Sequence, residues 1–403
     1  MKRQIKTRLS REQTMINLKD YFDPVSIERH GLETLAGNAG FPHNTVIHTE
    51  NMTISDFSKF KLALIGVPDG RNSADPGSSE APDTIRQQLY GLARIPGKTK
   101  IADLGNMKPG TSFNDTIAGL TDILTALLSE NVFPVIIGGS SALVTAIDRS
   151  FTQLGIDYTL LAVDPRIDYS NNPDVFDSVS YLNKIMGSSK SSFRHYINIG
   201  YQTYLNDQQV LNRFSRRHSE MVRIGDVRQA VYLMEPLFRD SDAAVFDISA
   251  VRQSDAPGTA MPSPNGFYGE EICLLARYAG ISDNLKVFGL FDVNPGLDNR
   301  NQTSGLAGQI LWFFLEGFSQ KQYETPALSN SNTGRFTRYH LKLTDLEEDL
   351  IFVKSNLTER WWLELKDENN RNIYISCSHD DYLKANRNEI PDKWVLASGR
   401  LKS

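Results

Sequence analysis

Cysteine is scarce in this chain, and long apolar runs are absent. The 403 residues include two cysteines, Cys273 and Cys377, and no Cys-x-x-Cys pair, so neither a disulfide framework nor a zinc site is expected. No apolar stretch approaches the roughly 20 residues that a membrane-spanning helix needs. The formal net charge is −5, which predicts no general attraction to nucleic acid or to an anionic membrane. These features favour a cytoplasmic protein that binds neither nucleic acid nor membrane.

Short apolar runs alternate with amphipathic stretches over most of the chain. Several runs are continuously apolar, which is typical of strands that are covered on both faces. Eight runs are strand candidates: 61–68, 100–105, 133–139, 158–165, 195–201, 221–225, 243–250 and 287–294. Helical patterns between them, such as 115–130 and 226–238, indicate a mainly parallel sheet with helices on both faces. The predicted fold class is therefore α/β, in three layers, with about eight strands.

The pattern changes after about residue 325. Four segments alternate apolar and polar residues in the manner of antiparallel strands with one solvated face: 336–343, 349–355, 360–366 and 372–378. We predict a helical and loop-rich lead-in over 1–58, an α/β domain over 59–325 and a small β-rich domain over 326–403. Trp361, Trp362 and Trp394 lie in the last part, where a small unit needs bulky residues for its own core. The surface of this domain is also predicted to bind another protein.

Polar residues collect where four of the predicted strands end. In open parallel sheets, ligands bind beyond the carboxyl ends of the strands. The four groups are Gly138–Ser141; Asp164, Arg166 and Asp168; Asp247 and Ser249; and Asp292 and Asn294. Because alternate side chains of an extended chain share a face, Asp164, Arg166 and Asp168 are predicted to point the same way. Clustered carboxylates out of water repel one another and need a cation, which is either a metal ion or a side chain such as Arg166.

The same segments, in the same order, resemble the ureohydrolase superfamily, which contains arginase, agmatinase and formimidoylglutamase. GVPDGRNSADPGSSEAPDTIR (66–86) is similar to the family's first-strand GVP block and the helix entry after it. PVIIGGSSA (134–142) occupies the place of its GGDHS block, and LAVDPRID (161–168) that of DAHxD. VFDISAVRQSDAPGTAMPSPNGF (245–267) resembles SxDxDxxDPxxAPGTGTPxPGG, and FDVNP (291–295) resembles E-x-N-P. The resemblance covers roughly residues 60 to 320 and implies an arginase-like fold, commonly assembled into trimers or hexamers.

In that family, one His, an Asp-His-Asp set and an Asp-x-Asp pair hold two manganese ions. By position, these six ligands fall on Ser141, Asp164, Arg166, Asp168, Asp247 and Ser249. Three of the six have lost the family's ligand, including both imidazoles, and the segment 171–187 contains no histidine for proton transfer. The substrate-facing acid of E-x-N-P falls on Asp292, whose side chain is one methylene shorter than glutamate.

The leading hypothesis from these losses is a ureohydrolase-fold pseudoenzyme without the dimanganese centre, acting as a binding, scaffolding or regulatory protein. Arg166 stays protonated and has only donors to offer. It is therefore predicted to neutralise Asp164, Asp168 or Asp247 through charge-assisted hydrogen bonds. This hypothesis expects no catalytic residue and no cofactor, and it makes the six ligand positions and Asp292 vestigial.

Two alternatives remain open. The first is a divergent hydrolase of linear amidines, such as formimidoylglutamate or agmatine, with a single ion held by Asp164, Asp168 and Asp247 beside Ser141. An all-oxygen set of this kind suits Mn²⁺ or Mg²⁺. The second is a metal-independent pocket that binds a small molecule and acts as a sensor. An anion is favoured there over an arginine-like cation only if the neighbours of Arg166 leave it partly unpaired.

Overall fold

Two β-sheets and twelve α-helices make up the part of the chain that the computed structural model describes, residues 17–26, 39–328, 334–346 and 349–401. The strands are β1 (Phe22–Asp23), β2 (Thr45–Ile47), β3 (Leu62–Gly66), β4 (Ile101–Met107), β5 (Phe133–Ile137), β6 (Tyr158–Val163), β7 (Phe193–Tyr201), β8 (Glu220–Arg223), β9 (Ala243–Asp247), β10 (Val287–Phe291), β11 (Phe336–Leu341), β12 (Leu350–Ser355), β13 (Trp361–Lys366) and β14 (Asn372–Cys377). The helices are α1 (Leu18–Tyr21), α2 (Ala81–Tyr90), α3 (Phe113–Ser129), α4 (Val144–Leu154), α5 (Leu182–Gly187), α6 (Gln208–Arg216), α7 (Ile224–Gln229), α8 (Glu235–Arg239), α9 (Gly269–Ile281), α10 (Gln302–Ser319), α11 (His379–Asn386) and α12 (Asp392–Leu401).

The larger sheet has ten strands in the order β1-β4-β3-β5-β10-β9-β6-β7-β8, with β2 also paired to β4. Only the pairing of β1 with β4 is antiparallel among the described strands of this sheet. The central strands β3, β5, β9 and β10 are buried along their whole length, which explains their continuously apolar sequences. All eight predicted strands are present. β1 and β2 were not predicted, because two and three residues are too few to show a periodic pattern.

Helices cover both faces of this sheet, so the predicted three-layer α/β fold is confirmed. One apolar core contains residues of α2, α9 and α10, and a second contains residues of α3, α4 and α6. Each of these helices buries the apolar side of an amphipathic sequence against the strands, which is the main source of its stability. Across the described ranges, no helix has the length and apolar character needed to cross a membrane.

The smaller sheet contains β11, β12, β13 and β14 in that order, all antiparallel. It confirms the predicted β-rich C-terminal domain. Trp361 belongs to its apolar core, with Trp394 packed against that core. After β14 the sequence predicts one helix and a short extended piece, whereas the structure has two helices, because the carbonyl of Pro391 accepts a hydrogen bond from the Trp394 amide and begins α12. The boundaries at residues 58 and 325 stay predictions.

Arg239, at the end of α8, ties the smaller sheet to the α/β domain. Its guanidinium donates to the carbonyls of Trp361 at 3.2 Å and Cys377 at 3.1 Å. The same group lies 4.8 Å from the centre of the Trp362 ring. Because Arg239 and Trp362 are both buried, the smaller sheet packs directly against the α/β domain at this point.

Candidate active site

Five of the predicted site residues lie at one edge of the larger sheet: Ser141, Asp164, Asp168, Asp247 and Asp292. The strands that lead to them, β5, β10, β9 and β6, are neighbours in that order. They are parallel, so their carboxyl ends meet at the same edge. The register pairs Asp247 with Phe291, the residue before Asp292, and the Ser141 amide donates to the Asp292 carboxylate at 3.3 Å. The sequence therefore predicted this convergence correctly.

The segment from Asp164 to Asp168 is a turn and does not continue the strand. β6 ends at Val163, and the Arg166 amide donates to Asp164 Oδ1 at 2.6 Å, the local bond of an Asx turn. Strand alternation is therefore the wrong reason for placing Asp164, Arg166 and Asp168 together. The turn itself brings the carboxyl groups of Asp164 and Asp168 within hydrogen-bond reach of each other.

The carboxyl groups of Asp164 and Asp168 are both removed from water, with 4% and 2% of each residue exposed. Burial raises the pKa of Asp164 to about 7, and the charge of Asp247 acts in the same direction. Burial also raises the pKa of Asp168 well above its usual value, and the charges of Asp164 and Asp247 add to this effect. The hydrogen bond between the two groups raises the pKa of Asp168 and lowers that of Asp164. In the absence of a cation, the pair therefore holds a proton near neutral pH.

Asp247 and Asp292 form a second pair of buried carboxyl groups. Asp247 ends β9 and caps the short helix 248–250 by accepting the Ser249 amide at 2.6 Å. Asp292 has a left-handed backbone, φ +61°, which is uncommon outside glycine, and accepts the Ser73 hydroxyl at 3.3 Å. Burial raises the pKa of both carboxyl groups, and for Asp292 the charge of Asp247 raises it further.

Two hydroxyls complete the oxygen atoms at this edge. Ser249 Oγ is buried beside the Asp247 carboxyl group, and its hydrogen bond lowers the pKa of that group. Ser141 Oγ donates to the Ser178 carbonyl at 3.1 Å. Hydroxyl oxygens have two lone pairs, so both serines add neutral acceptor oxygens to the carboxyl groups at this edge.

The half-buried side chain of Arg166 does not form the hydrogen bonds to the aspartates that were predicted for it. Its guanidinium forms neither an ion pair nor a hydrogen bond with any described residue. Its charge still lowers the pKa of Asp164 and of Asp247, so it lies close enough to act through the electric field. The charge-assisted hydrogen bonds expected by the pseudoenzyme hypothesis are not formed.

The chemistry of this donor set fits one divalent cation, but not the two-ion, six-ligand set that the family resemblance implies. Carboxylate and hydroxyl oxygens suit Mn²⁺ or Mg²⁺. Ser141, Arg166 and Ser249, however, do not supply the two imidazoles and the fourth carboxylate that the family uses at these positions. In the ranges the structure describes, no three His, Cys, Asp or Glu side chains are arranged as a ready-made metal site. Binding an ion therefore requires the paired carboxyl groups to give up their shared protons and turn towards it.

Sequence reasoning missed the role of the loop after β3. Ser73 binds Asp292, and Asp75 is buried, where it accepts the Ala260 amide at 2.6 Å and the side-chain amide of Asn294. Asp75 thus fixes two segments around the site, and Asn294 is a structural residue. The available signal was a set of polar residues inside the GVPDGRNSADPG segment (66–77), to which the resemblance assigned no role.

Formimidoylglutamases are among the relatives of this chain. The Bacillus subtilis (strain 168) protein is 24% identical over 283 residues, which cover 65% of this chain and 88% of that protein. The Halobacterium salinarum protein is 24% identical over 287 residues, covering 66% and 90%. A crystal structure of Trypanosoma cruzi formiminoglutamase with Mn²⁺ has a TM-score of 0.61 at 17% identity, covering 66% of this chain and 96% of that one. At such identity the structural likeness shows the fold.

The prediction of a protein without a metal cofactor is wrong on this comparison. A formiminoglutamase with the same fold has been crystallised with Mn²⁺, and further relatives carry the formimidoylglutamase name. The comparison favours the alternative that the sequence left open, a divergent metal-dependent hydrolase, over a protein without a metal.

The four buried carboxyl groups of Asp164, Asp168, Asp247 and Asp292 at the carboxyl edge of the larger sheet are here called the acidic edge. The order of the sequence blocks, the ten-stranded sheet and the acidic edge all agree with one family. A profile described as the arginase family matches residues 60–316, which is more than half of the chain and contains every candidate site residue. The chain therefore belongs to the arginase family.

Proposed function

We propose that this protein is a metal-dependent hydrolase of linear amidines, with a formimidoyl amino acid such as formimidoylglutamate as its substrate. One observation carries the proposal: Asp164, Asp168, Asp247 and Asp292 are buried together at the carboxyl edge of the sheet. Such a cluster destabilises a fold unless a bound cation neutralises its negative charge. The relatives named formimidoylglutamase support this hydrolase over the pseudoenzyme hypothesis.

Asp164, Asp168 and Asp247 would hold one Mn²⁺ or Mg²⁺ ion. The hydroxyl of Ser141 or of Ser249 adds a neutral oxygen. A bound divalent ion lowers the pKa of a coordinated water, so that hydroxide is available at neutral pH. The positive charge of Arg166, which already lowers the pKa of two of these carboxyl groups, takes over part of the charge of the family's second ion.

Asp292 lies outside this ligand set and serves as the proton donor. Hydrogen bonds from the Ser73 hydroxyl and the Ser141 amide fix its carboxyl group. Burial raises the pKa of Asp292 well above the usual value, which favours the protonated carboxyl group that a donor to the nitrogen of the leaving amine requires. Addition of water to the amidine carbon and loss of that amine give formamide and a free amino acid. Asp292 thereby replaces the histidine that the segment 171–187 lacks.

The assay that tests this function measures formamide and glutamate released from formimidoylglutamate by purified protein loaded with Mn²⁺. We expect turnover that chelation abolishes and Mn²⁺ restores, and little turnover of agmatine. The Asp292→Asn variant is expected to bind Mn²⁺ like the wild type and to lose roughly 10²- to 10⁴-fold in kcat, the usual contribution of a positioned acid. Folded, Mn²⁺-loaded wild-type protein without turnover of either substrate would contradict the proposal.

Replacing Arg166 with histidine is expected to raise the affinity for Mn²⁺ about tenfold or more, since it exchanges a repelling cation for a neutral nitrogen ligand. The matched control is Arg166→Gln, which removes the charge without adding a ligand and is expected to gain less. Isothermal titration with MnCl₂ measures both. If neither variant differs from the wild type, Arg166 does not act on this site.

A further inference from the structure

The outer face of α6 carries several positive charges close together. Val210, Leu211 and Phe214 are the buried side of this helix. The opposite side presents Gln209, Asn212, Arg213 and Arg216, at the i, i+3, i+4 and i+7 spacing of one helical face. These residues, Arg217 and Asn171 line a groove of about 520 Å³, here called the α6 groove.

The three arginines of the α6 groove have no acidic partner among the described residues. Arg213, Arg216 and Arg217 are exposed and form no ion pair with a described residue. Some exposed arginines elsewhere are paired, such as Arg194 with Asp157 at 2.7 Å and Arg371 with Asp367 at 2.8 Å. Others, such as Arg149 and Arg387, form no ion pair with a described residue, but they do not lie three together. A cation in the last turn stabilises a helix, and Arg213 and Arg216 lie there, whereas like charges three and four residues apart repel one another. Three such arginines side by side in a chain of net charge −5 therefore indicate a binding site for an anion.

Neighbouring contacts hold the groove in place before any ligand binds. The Arg213 guanidinium lies 4.9 Å from the centre of the Tyr169 ring, and stacking uses its face while its in-plane N–H groups stay available. The Asn171 side chain donates to Asp207 at 3.1 Å, and that of Gln208 donates to Asn212 at 3.1 Å. Fixed donors lose less entropy on binding than mobile ones.

The α6 groove lies next to the acidic edge but is separate from that site. Tyr169 directly follows Asp168, and Asn171 lies two residues further on. Both belong to the segment that leaves the carboxyl edge, so a ligand in the groove contacts the chain that carries Asp168. None of the lining residues is among the ligand positions or the proton donor proposed above.

We propose that the α6 groove binds a small organic polyanion, with two or more carboxylate or phosphate groups, through the guanidinium groups of Arg213, Arg216 and Arg217. Each guanidinium offers a planar fork that matches a carboxylate or a phosphate bidentately. The amides of Asn171, Gln209 and Asn212 add hydrogen bonds to uncharged oxygens or hydroxyls of the ligand. This site is independent of the proposed hydrolase activity.

The test is isothermal titration of the full chain with citrate and with pyrophosphate at low ionic strength, without added metal. We expect one molecule bound per chain, and the tighter of the two probes assigns the site to carboxylates or to phosphates. The triple variant Arg213→Gln, Arg216→Gln, Arg217→Gln is expected to lose at least tenfold in affinity. The control triple variant Arg194→Gln, Lys366→Gln, Arg371→Gln makes the same change in net charge at exposed positions and is expected to bind like the wild type.

Three results would overturn the proposal. The first is wild-type protein that binds neither probe, and the second is unchanged affinity in the groove variant. The third is an equal loss in the control variant, which would mean that net charge alone attracts the anion. Circular dichroism melting of both triple variants checks that the substitutions, all at exposed positions, leave the fold intact. The triple variant Arg213→Lys, Arg216→Lys, Arg217→Lys keeps the positive charge but removes the paired N–H donors of the guanidinium groups. It is expected to bind the probe more weakly than the wild type.

Discussion

Replacing Asp247 with asparagine is expected to abolish Mn²⁺ binding and, with it, amidine hydrolysis. Asp247 influences the pKa of Asp164, Asp168 and Asp292, so it is the centre of the acidic edge. Loss of a group that merely supports a metal ligand lowers affinity or activity by roughly 10- to 100-fold, and loss of a ligand in a site of few ligands is expected to exceed that. Titration with MnCl₂ and the formamide assay measure the two effects.

The same variant has an opposite expected effect on the metal-free protein. Asparagine keeps the oxygen that accepts the Ser249 amide at 2.6 Å, while it removes one of four mutually repelling carboxyl groups. The metal-free variant is therefore expected to melt at a temperature no lower than that of the wild type, and only the wild type is expected to gain stability from Mn²⁺. Asp226→Asn, at an exposed position, is the control. A lower melting temperature without metal, or equal stabilisation of both proteins by Mn²⁺, would mean that Asp247 is structural.

The second large effect is expected at Glu220, on the last strand of the larger sheet. Glu220 is buried and accepts the Lys393 ammonium at 3.1 and 3.0 Å, and Arg400 of the same helix, α12, donates to it as well. Removing one partner of a buried ion pair costs about 3–5 kcal/mol. Lys393 keeps a second partner, Asp240, at 3.1 Å, so a cost of about 3 kcal/mol, the lower end of this range, is expected. Glu220→Ala is expected to lower the free energy of unfolding by about that amount, measured by urea denaturation.

Two comparisons separate this mechanism from a general loss of packing. Glu359→Ala removes an exposed ion pair with Lys354 and is expected to change stability by less than about 1 kcal/mol. The double variant Glu220→Leu, Lys393→Met replaces both charges of this pair, while Arg400 and Asp240 stay in place, and is expected to recover part of the loss. If Glu220→Ala costs no more than Glu359→Ala, α12 is not held by this ion pair.

The contribution of Glu220 should also depend on pH. Burial alone would raise its pKa, but the charge of Lys393, the nearby His195, whose Nε2 lies 3.9 Å from Glu220 Oε1, and Arg400 hold the pKa well below the usual 4.5. A carboxyl group whose folded-state pKa is depressed stabilises the fold above its unfolded-state pKa, and this stabilisation is lost as the pH falls towards the folded-state value. The difference in unfolding free energy between wild type and Glu220→Ala is thus expected to be constant above about pH 5.5 and to shrink below about pH 4.5. A difference that grows on acidification would contradict this assignment.

Much of the fold was predictable because its strands are long, buried and continuously apolar. Segments such as LALIG (62–66) and FPVII (133–137) need no tertiary information to be recognised as strands covered on both faces. The short strand β2 and the helix α12 were not predictable. β2 exists only because it pairs with β4, and α12 is stabilised by distant residues such as Glu220.

The candidate site was predictable in its residues and less so in its geometry. Parallel strand ends meet at one edge whatever the details, so Asp164, Asp247 and Asp292 were correctly brought together. The direction of Arg166 was not predictable, because the strand stops at Val163 and an Asx turn follows. Strand alternation holds only as long as the chain stays extended. The binding of a partner protein by the C-terminal domain, a trimeric or hexameric assembly and a cytoplasmic location stay predictions.

Crystals of the protein soaked in MnCl₂ test the central claim most directly, by anomalous diffraction at the manganese edge. We expect a single peak at the carboxyl edge of the larger sheet, about 2.1 Å from carboxylate oxygens of Asp164, Asp168 and Asp247, as hard divalent ions require. Asp247→Asn crystals treated identically should show no peak there. Wild-type crystals without a peak at saturating Mn²⁺, or with manganese bound only elsewhere on the surface, would contradict the assignment of this edge as a metal-dependent active site.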